Sequence, residues 1–124
     1  MASGIAKAAN RDDVYELVRL AHAYPEDAAE IDEALQQVAI RLGSKREIHE
    51  LAHILTLPAG PKPWTAVETA VRELISVGPN VKQAVRSVGL SATDSTKLRA
   101  IKVLEGTGNE EAAAELRCTY RSAG

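Results

Sequence analysis

The feature that most constrains this sequence is a repeated pattern of short amphipathic segments, each bounded by residues that start or stop a helix. Apolar side chains recur every three or four residues within a segment, which places them on one face of an α-helix. In one such segment, acidic residues follow Pro25, the apolar stripe runs from Ile31 to Leu42, and Gly43 ends the pattern. No segment shows the sustained alternation of a β-strand. The sequence predicts an all-α protein, a compact bundle of six or seven short helices.

Capping signals set the predicted boundaries. The first helix starts after Asn10 and the second at Pro25, and Gly43 ends the second. Two capping-box pairs then start the third and fourth helices, and glycines separate the remaining ones. These later signals are Ser44 with Glu47, Thr65 with Glu68, Gly78-Pro79, Gly89, the start near Ser91, and Gly108-Asn109.

Composition narrows the class of protein further. The chain has 124 residues, one tryptophan and no phenylalanine, so its core has to be aliphatic. The single cysteine, Cys118, excludes an intrachain disulfide. No apolar run approaches the roughly 20 residues that span a bilayer, and the N-terminus lacks an apolar signal core. We therefore expect a cytoplasmic protein that does not enter a membrane.

A proline-rich segment, 58–64, divides the chain into an acidic three-helix half, 1–57, and a helical half, 65–124. Residues 1–60 carry a net charge of −4 and residues 61–124 a net charge of +2. Each half is small for a domain that folds on its own, so we expect the two halves to pack as one domain. Segments 36–55 and 82–101 share a helix, glycine, turn and helix layout. That likeness leaves open whether the halves are a true duplication.

The segment from Pro79 to Leu104 has the layout of a helix-turn-helix, with a short helix, a turn after Gly89 and a longer helix. A glycine at that position supplies the left-handed backbone that such a turn needs. Four aliphatic side chains are expected to hold the two helices at a fixed angle: Val85, Val88, Leu90 and Leu98.

This segment resembles the helix-turn-helix of Fis-like regulators, in which an asparagine, a run like QAAR, a glycine and an aliphatic residue recur at this spacing. The matching residues are Asn80, Gln83-Ala84-Val85-Arg86, Gly89 and Leu90, and the resemblance covers about a fifth of the chain. The sequence departs from the pattern at Ser95, where an aliphatic residue is usual, and at Ala92-Thr93-Asp94. The resemblance implies a small regulatory or phage- or plasmid-type protein that binds nucleic acid.

In that hypothesis the second helix enters the major groove of a duplex. Basic side chains neutralise phosphates, and hydroxyl groups reach phosphates or base edges. The predicted phosphate-binding residues are Lys82, Arg86, Lys97 and Arg99, and the predicted hydroxyl contacts are Ser91, Thr93, Ser95 and Thr96. The alternative is an ordinary helical hairpin with a solvated basic face.

The run HELAH at 49–53 matches the HExxH motif, in which two histidines on one helix face bind zinc and the glutamate activates water. The surrounding run EIHELAHIL resembles the active-site helix of ImmA/IrrE-type zinc peptidases, with Glu68 or Glu73 as the third ligand. However, the sequence predicts no sheet to orient a substrate, and His49 and His53 lie away from the apolar stripe of their helix. We interpret the motif as coincidental and predict no catalytic residue, no metal site and no cofactor.

The competing hypothesis is a protein-interaction module: an adaptor, an inhibitor or a small subunit of a larger assembly. An acidic N-terminal face suits a basic partner. Trp64 is either a core residue between the halves, which we favour, or an exposed hot spot. A homodimer remains open. The acidic residues of that face are Glu26, Asp27, Glu30, Asp32 and Glu33.

Overall fold

The computed structural model describes residues 2–60, 62–90 and 93–123, with no strand in these ranges. The described chain forms eight α-helices, and short 3-10 helices at Pro25–Asp27 and Pro79–Val81 precede α3 and α6. The all-α prediction is confirmed. The helices are α1 Ala2–Asn10, α2 Val14–Ala23, α3 Ala28–Lys45, α4 Ile48–Ile54, α5 Thr65–Val77, α6 Lys82–Leu90, α7 Asp94–Gly106 and α8 Glu110–Ala123.

The helix that the sequence did not predict is α1. Asn10 was expected to cap the first helix, but it is the last residue of α1. Asp12 adopts a left-handed backbone with φ of 52°, which turns the chain. Asp13 then caps α2, because its carboxylate accepts a 3.1 Å hydrogen bond from the N–H of Glu16. The buried side chain of Ile5 gives α1 its place in the core.

The predicted end of α3 at Gly43 is also wrong. The helix runs on to Lys45, and Arg46 ends it with a left-handed φ of 57°. Ser44 lies inside the helix, where its hydroxyl donates to the carbonyl of Ile40, and it caps nothing. A side chain at Gly43 would collide with the carboxylate of Glu73 on α5. Because that carboxylate is the far end of a flexible side chain, it can move aside, and the packing of α3 on α5 does not itself require a glycine at this position.

The start of α5 is stabilised from another helix. Thr65 and Glu68 were expected to form a capping box, but no side chain makes a cap from the N-cap position, which Trp64 occupies. Asp32 of α3 accepts hydrogen bonds from the N–H groups of Thr65 at 3.2 Å and Ala66 at 2.7 Å. A residue 33 positions earlier in the chain thus satisfies the first N–H groups of α5.

The core runs through both halves of the chain. Helix α3 packs along α5, α4 contacts α5 and α6, and α6, α7 and α8 pack on one another. Trp64 joins this core with 8% of its surface exposed, and its indole N–H donates a 2.8 Å hydrogen bond to the carbonyl of Pro58. The core interpretation of Trp64 is confirmed. None of the helices within the described ranges is both long and apolar enough to cross a bilayer.

Candidate interaction groove

Helices α6 and α7 pack as a hairpin, but Gly89 does not make its turn. Gly89 is a buried residue inside α6 and lacks a left-handed backbone. A methyl group there would lie 2.6 Å from a Leu116 side-chain carbon and 3.1 Å from Cβ of Ala100. The prediction for Gly89 is therefore wrong, since the missing side chain lets α6 lie close to α7 and α8.

The predicted small core of this hairpin forms only in part. Val85 is buried and Val88 is half-buried, whereas Leu90 and Leu98 are 39% and 51% exposed. Because α7 contacts α5, α6 and α8, little of its surface is left for a nucleic acid. Residues at helical spacing on that outer face are Asp94, Leu98, Lys102 and Glu105, and Glu105 pairs with Arg117. A face with two carboxylates and one cation does not suit a phosphate backbone.

Of the eight residues predicted to bind nucleic acid, seven lie in the described part of the chain, and three of these are engaged or buried within the fold. Arg86 is held by Glu115 through hydrogen bonds of 2.6 and 3.0 Å. Thr96 is buried, so it cannot reach a groove of DNA, and Arg99 is engaged elsewhere in the fold. Ser91 lies outside the described residues. The others are exposed or half-buried: Lys82, Thr93, Ser95 and Lys97.

Arg99 instead fixes residues 55–57, which directly precede the proline-rich segment, to α7. Its Nη1 donates hydrogen bonds to the carbonyl oxygens of Leu55 at 2.9 Å and Leu57 at 2.6 Å. The guanidinium is half-buried, and burial lowers the pKa of Arg99 from its ordinary value. The prediction of Arg99 as a phosphate-neutralising residue on the groove-facing helix is not supported, because the guanidinium is half-buried and its Nη1 donates to two backbone carbonyls.

Two more side chains complete this attachment. Nε2 of His22 on α2 lies 3.1 Å from the carbonyl oxygen of Thr56, which requires the proton on Nε2. The indole N–H of Trp64 donates to the carbonyl of Pro58. Every carbonyl from 55 to 58 therefore accepts a hydrogen bond from a side chain, and α2, α7 and the start of α5 hold the segment together.

The histidines of the HExxH motif occupy different environments. His49 is exposed, as expected. His53 is half-buried, with its ring centroid 4.5 Å from that of Tyr15 on α2, so its placement on a solvated face is wrong. Burial, followed by the charge of His22, lowers the pKa of His53 below its ordinary value of 6.5. Across the described residues, no three His, Cys, Asp or Glu side chains stand close enough to hold a metal ion.

The proline-rich segment forms one wall of an apolar groove of about 520 Å³, which we call the Trp64 groove. The start of α3 forms the facing wall. Its few polar groups include His22 and Asp32, both already engaged in the hydrogen bonds described above. The defining apolar residues of the Trp64 groove are Pro25, Ala28, Ala29, Pro58, Pro63 and Trp64.

A second cavity of about 550 Å³ lies near the start of α7, and we call it the α7 cavity. His22, Pro58 and Ala59 line both cavities, so these residues separate the two spaces. The far end of the α7 cavity is more polar than the Trp64 groove and includes Thr93 and Asp94. Asp94 is exposed and forms no ion pair with another described residue.

The acidic stripe is formed by Glu26, in the 3-10 helix Pro25–Asp27, and by Glu30 and Glu33 of α3. Glu33 follows Ala29 by four residues and is its neighbour on the helix surface, but none of the three lines the Trp64 groove, and Glu30 and Glu33 line a separate pocket between α1 and α3. All three glutamates are exposed, and among the residues with described side chains none pairs with them. Asp32, which the sequence placed on the same polar face, is instead half-buried beneath α5.

The sequence indicated that the proline-rich segment and Trp64 were of interest, but it did not predict the groove that they line. His22 and Arg99 are 34 and 44 residues from the carbonyls that they bind, and no local pattern signals such distant pairs. The only available signals were the prolines and the single tryptophan. Comparison of the chain with protein-family models, with curated proteins and with solved structures finds no significant match.

Proposed function

We propose that this protein is a protein-interaction module whose Trp64 groove binds a basic, partly apolar segment of a partner protein. The observation that carries the proposal is the groove itself, an apolar space of about 520 Å³ with the exposed Glu33 on the adjoining surface of α3. Apolar side chains of the partner enter the groove, and lysine or arginine side chains meet the glutamates.

A protein segment suits this groove better than a small polar ligand. Sites for small molecules usually place several polar groups around one point to orient the ligand. Here the Nε2 of His22 and both carboxylate oxygens of Asp32 are already used within the fold. The remaining lining is mostly apolar, with the exposed side chains of Lys62 and Thr65 as its other polar groups, so a partner's anchoring side chain docks there mainly through shape and apolar contact.

The structure gives the nucleic-acid hypothesis less support than the interaction proposal. Arg86 and Arg99 are engaged with a carboxylate and with backbone carbonyls. The hypothesis now depends on three lysines, Lys82, Lys97 and Lys102, none of which forms an ion pair with a described residue. Nucleic-acid binding remains a prediction that a titration can decide.

The interaction proposal is tested by obstructing the groove. Ala29 is an exposed helical alanine that lines the groove, so Ala29→Arg places bulk and positive charge there. Ala114→Arg on α8 makes the same change at an exposed helical alanine outside the groove and serves as the matched control. The probe is a fluorescein-labelled peptide of alternating lysine and valine, followed by fluorescence anisotropy.

We expect Ala29→Arg to bind this peptide roughly tenfold or more weakly than the unmodified protein, because the new cation both fills the groove and repels the lysines. Ala114→Arg should bind like the unmodified protein. Equal binding by the two arginine variants would place the peptide outside the groove. No binding to the unmodified protein would contradict the proposal itself.

A further inference from the structure

The three histidines of the chain all lie on α4 or contact the turn that follows it. His49 and His53 line one cavity of about 190 Å³ between α2, α4 and α6, which we call the His53 cavity. Nε2 of His22 donates to the carbonyl of Thr56, and the Thr56 hydroxyl donates a 2.6 Å hydrogen bond to the carbonyl of His53. Side chains that gain a positive charge in mildly acidic solution are therefore gathered around this short helix.

The His53 cavity suits a neutral imidazole better than a charged one. The ring of His53 is half-buried there, so a proton on it places a charge where little water reaches it. Burial and the charge of His22 both lower the pKa of His53. The ring of Tyr15 is itself half exposed and attracts a cation only weakly. Apart from His49, the rest of the lining is uncharged and consists of Ala52, Gln83, Ala84, Ser87 and Val88.

Among the described residues, no acidic side chain lines the His53 cavity and none forms an ion pair with a histidine. On α2, Glu16 is bound by Arg19. On α4, Glu50 precedes His53 by about one turn but does not line the cavity. Helices α3 and α5 also pack on α4 but contribute no residue to the lining. Protons on the other two histidines add like charges nearby, which raises the cost of charging His53 further.

The last turn of α4 is the part of the fold that a charge on His53 disturbs. Helix α4 has seven residues, and a helix of that length depends on packing for its stability. The N–H groups of Leu55 and Thr56 donate to the carbonyls of Ala52 and His53, the two residues of this turn that line the cavity. Movement of the turn is therefore reported by the amides of Leu55 and Thr56.

We propose that His53 is an acid-sensitive latch: when its ring takes up a proton, the ring leaves the His53 cavity and the last turn of α4 loosens, while the rest of the bundle stays folded. In the open arrangement the imidazolium regains water, so the open form binds a proton more tightly than the closed form. A fall in pH therefore shifts the population towards the open form, and a return to neutral pH restores the closed form. The latch does not depend on the proposed function.

Nuclear magnetic resonance of the intact protein tests the latch between about pH 7.5 and about pH 5. Amide exchange gives protection factors at Leu55 and Thr56 after correction for the intrinsic effect of pH on exchange. Val38 is fully buried on α3 and serves as the internal reference. The rings of His53 and Tyr15 have centroids 4.5 Å apart, so nuclear Overhauser contacts between them report the closed form.

We expect protection at Leu55 and Thr56 to fall by up to about tenfold per pH unit as His53 takes up its proton. The contact between the two rings should fade over the same range, and protection at Val38 should stay constant. A parallel fall at Val38 would overturn the latch, because it would report unfolding of the whole bundle. Constant protection at Leu55 and Thr56 across the range would overturn it as well.

Two variants separate the charge of His53 from other effects of pH. His53→Gln keeps a polar side chain that takes up no proton, so protection at Leu55 and Thr56 should no longer depend on pH. His53→Lys carries its charge throughout the range, so protection there should already be low at neutral pH. Circular dichroism establishes that each variant folds, and if His53→Lys does not, the comparison with His53→Gln decides. A pH dependence in His53→Gln as steep as that of the unmodified protein would contradict the latch.

Discussion

The Arg99 guanidinium donates a 2.6 Å hydrogen bond to the carbonyl oxygen of Leu57, which lies 42 residues earlier in the chain. The same Nη1 atom also reaches the carbonyl of Leu55. This contact assigns Arg99 to the stability of the fold. Replacing Arg99 by alanine should lower the free energy of unfolding by about 2 kcal/mol, because two carbonyls lose a charged donor.

Urea denaturation measures this effect, with Lys102→Ala as the control. Lys102 lies on the same helix, is exposed and forms no ion pair with a described residue. Its replacement should change stability by less than about 0.5 kcal/mol. If Arg99→Ala and Lys102→Ala unfold at the same urea concentration, the hydrogen bonds from Arg99 to Leu55 and Leu57 do not stabilise the fold.

Asp32 should stabilise the protein by capping α5 from a distance. Asp32→Ala removes the acceptor of the Thr65 and Ala66 N–H groups, and we expect a loss of about 1 kcal/mol. The nearby Asp27 makes no side-chain cap hydrogen bond, so Asp27→Ala is the matched control. Thermal melts that rank the two variants equally, or place Asp27→Ala lower, would show that the cap contributes nothing.

His53 should make the stability depend on pH. Burial and the charge of His22 lower the pKa of His53 in the folded protein below 6.5, so the unfolded chain binds the proton more tightly. The stability that neutral His53 contributes is fully present above about pH 7 and declines as the pH falls below its unfolded pKa. Melting temperatures across this range should fall less steeply in His53→Gln than in the unmodified protein. Equal slopes in His53→Gln and in the unmodified protein would contradict this account.

The nucleic-acid hypothesis makes a separate prediction about salt. If Lys82, Lys97 and Lys102 contact phosphates, affinity for a labelled generic duplex should fall with salt, with a log–log slope of about −0.9 for each phosphate neutralised. Lys97→Ala should then make the slope shallower by about one unit. Under the interaction proposal, we expect no detectable binding even at low salt. A steep slope that depends on Lys97 would favour the nucleic-acid hypothesis over the interaction proposal.

The sequence predicted the helices well because the apolar stripes that define them are local. It predicted several helix boundaries wrongly, because a glycine can either end a helix or lie within one. Gly78 ends α5 with φ of 105°, as expected, whereas Gly43 and Gly89 remain helical, and Gly89 allows close packing against Ala100 and Leu116. The groove could not be predicted from local patterns, because His22 and Arg99 lie on other helices and bind the backbone that leads into its wall.

The central claim is that the Trp64 groove recognises a basic, partly apolar segment, and the protein carries its own reporter of that event. Trp64 is the single tryptophan of the chain, and it lines the groove. Its emission spectrum can be recorded during titration with an alternating lysine–valine peptide and with a matched glutamate–valine peptide. We predict a saturable change in Trp64 emission with the lysine peptide and none with the glutamate peptide. No change with either peptide, or an equal change with both, would contradict the account.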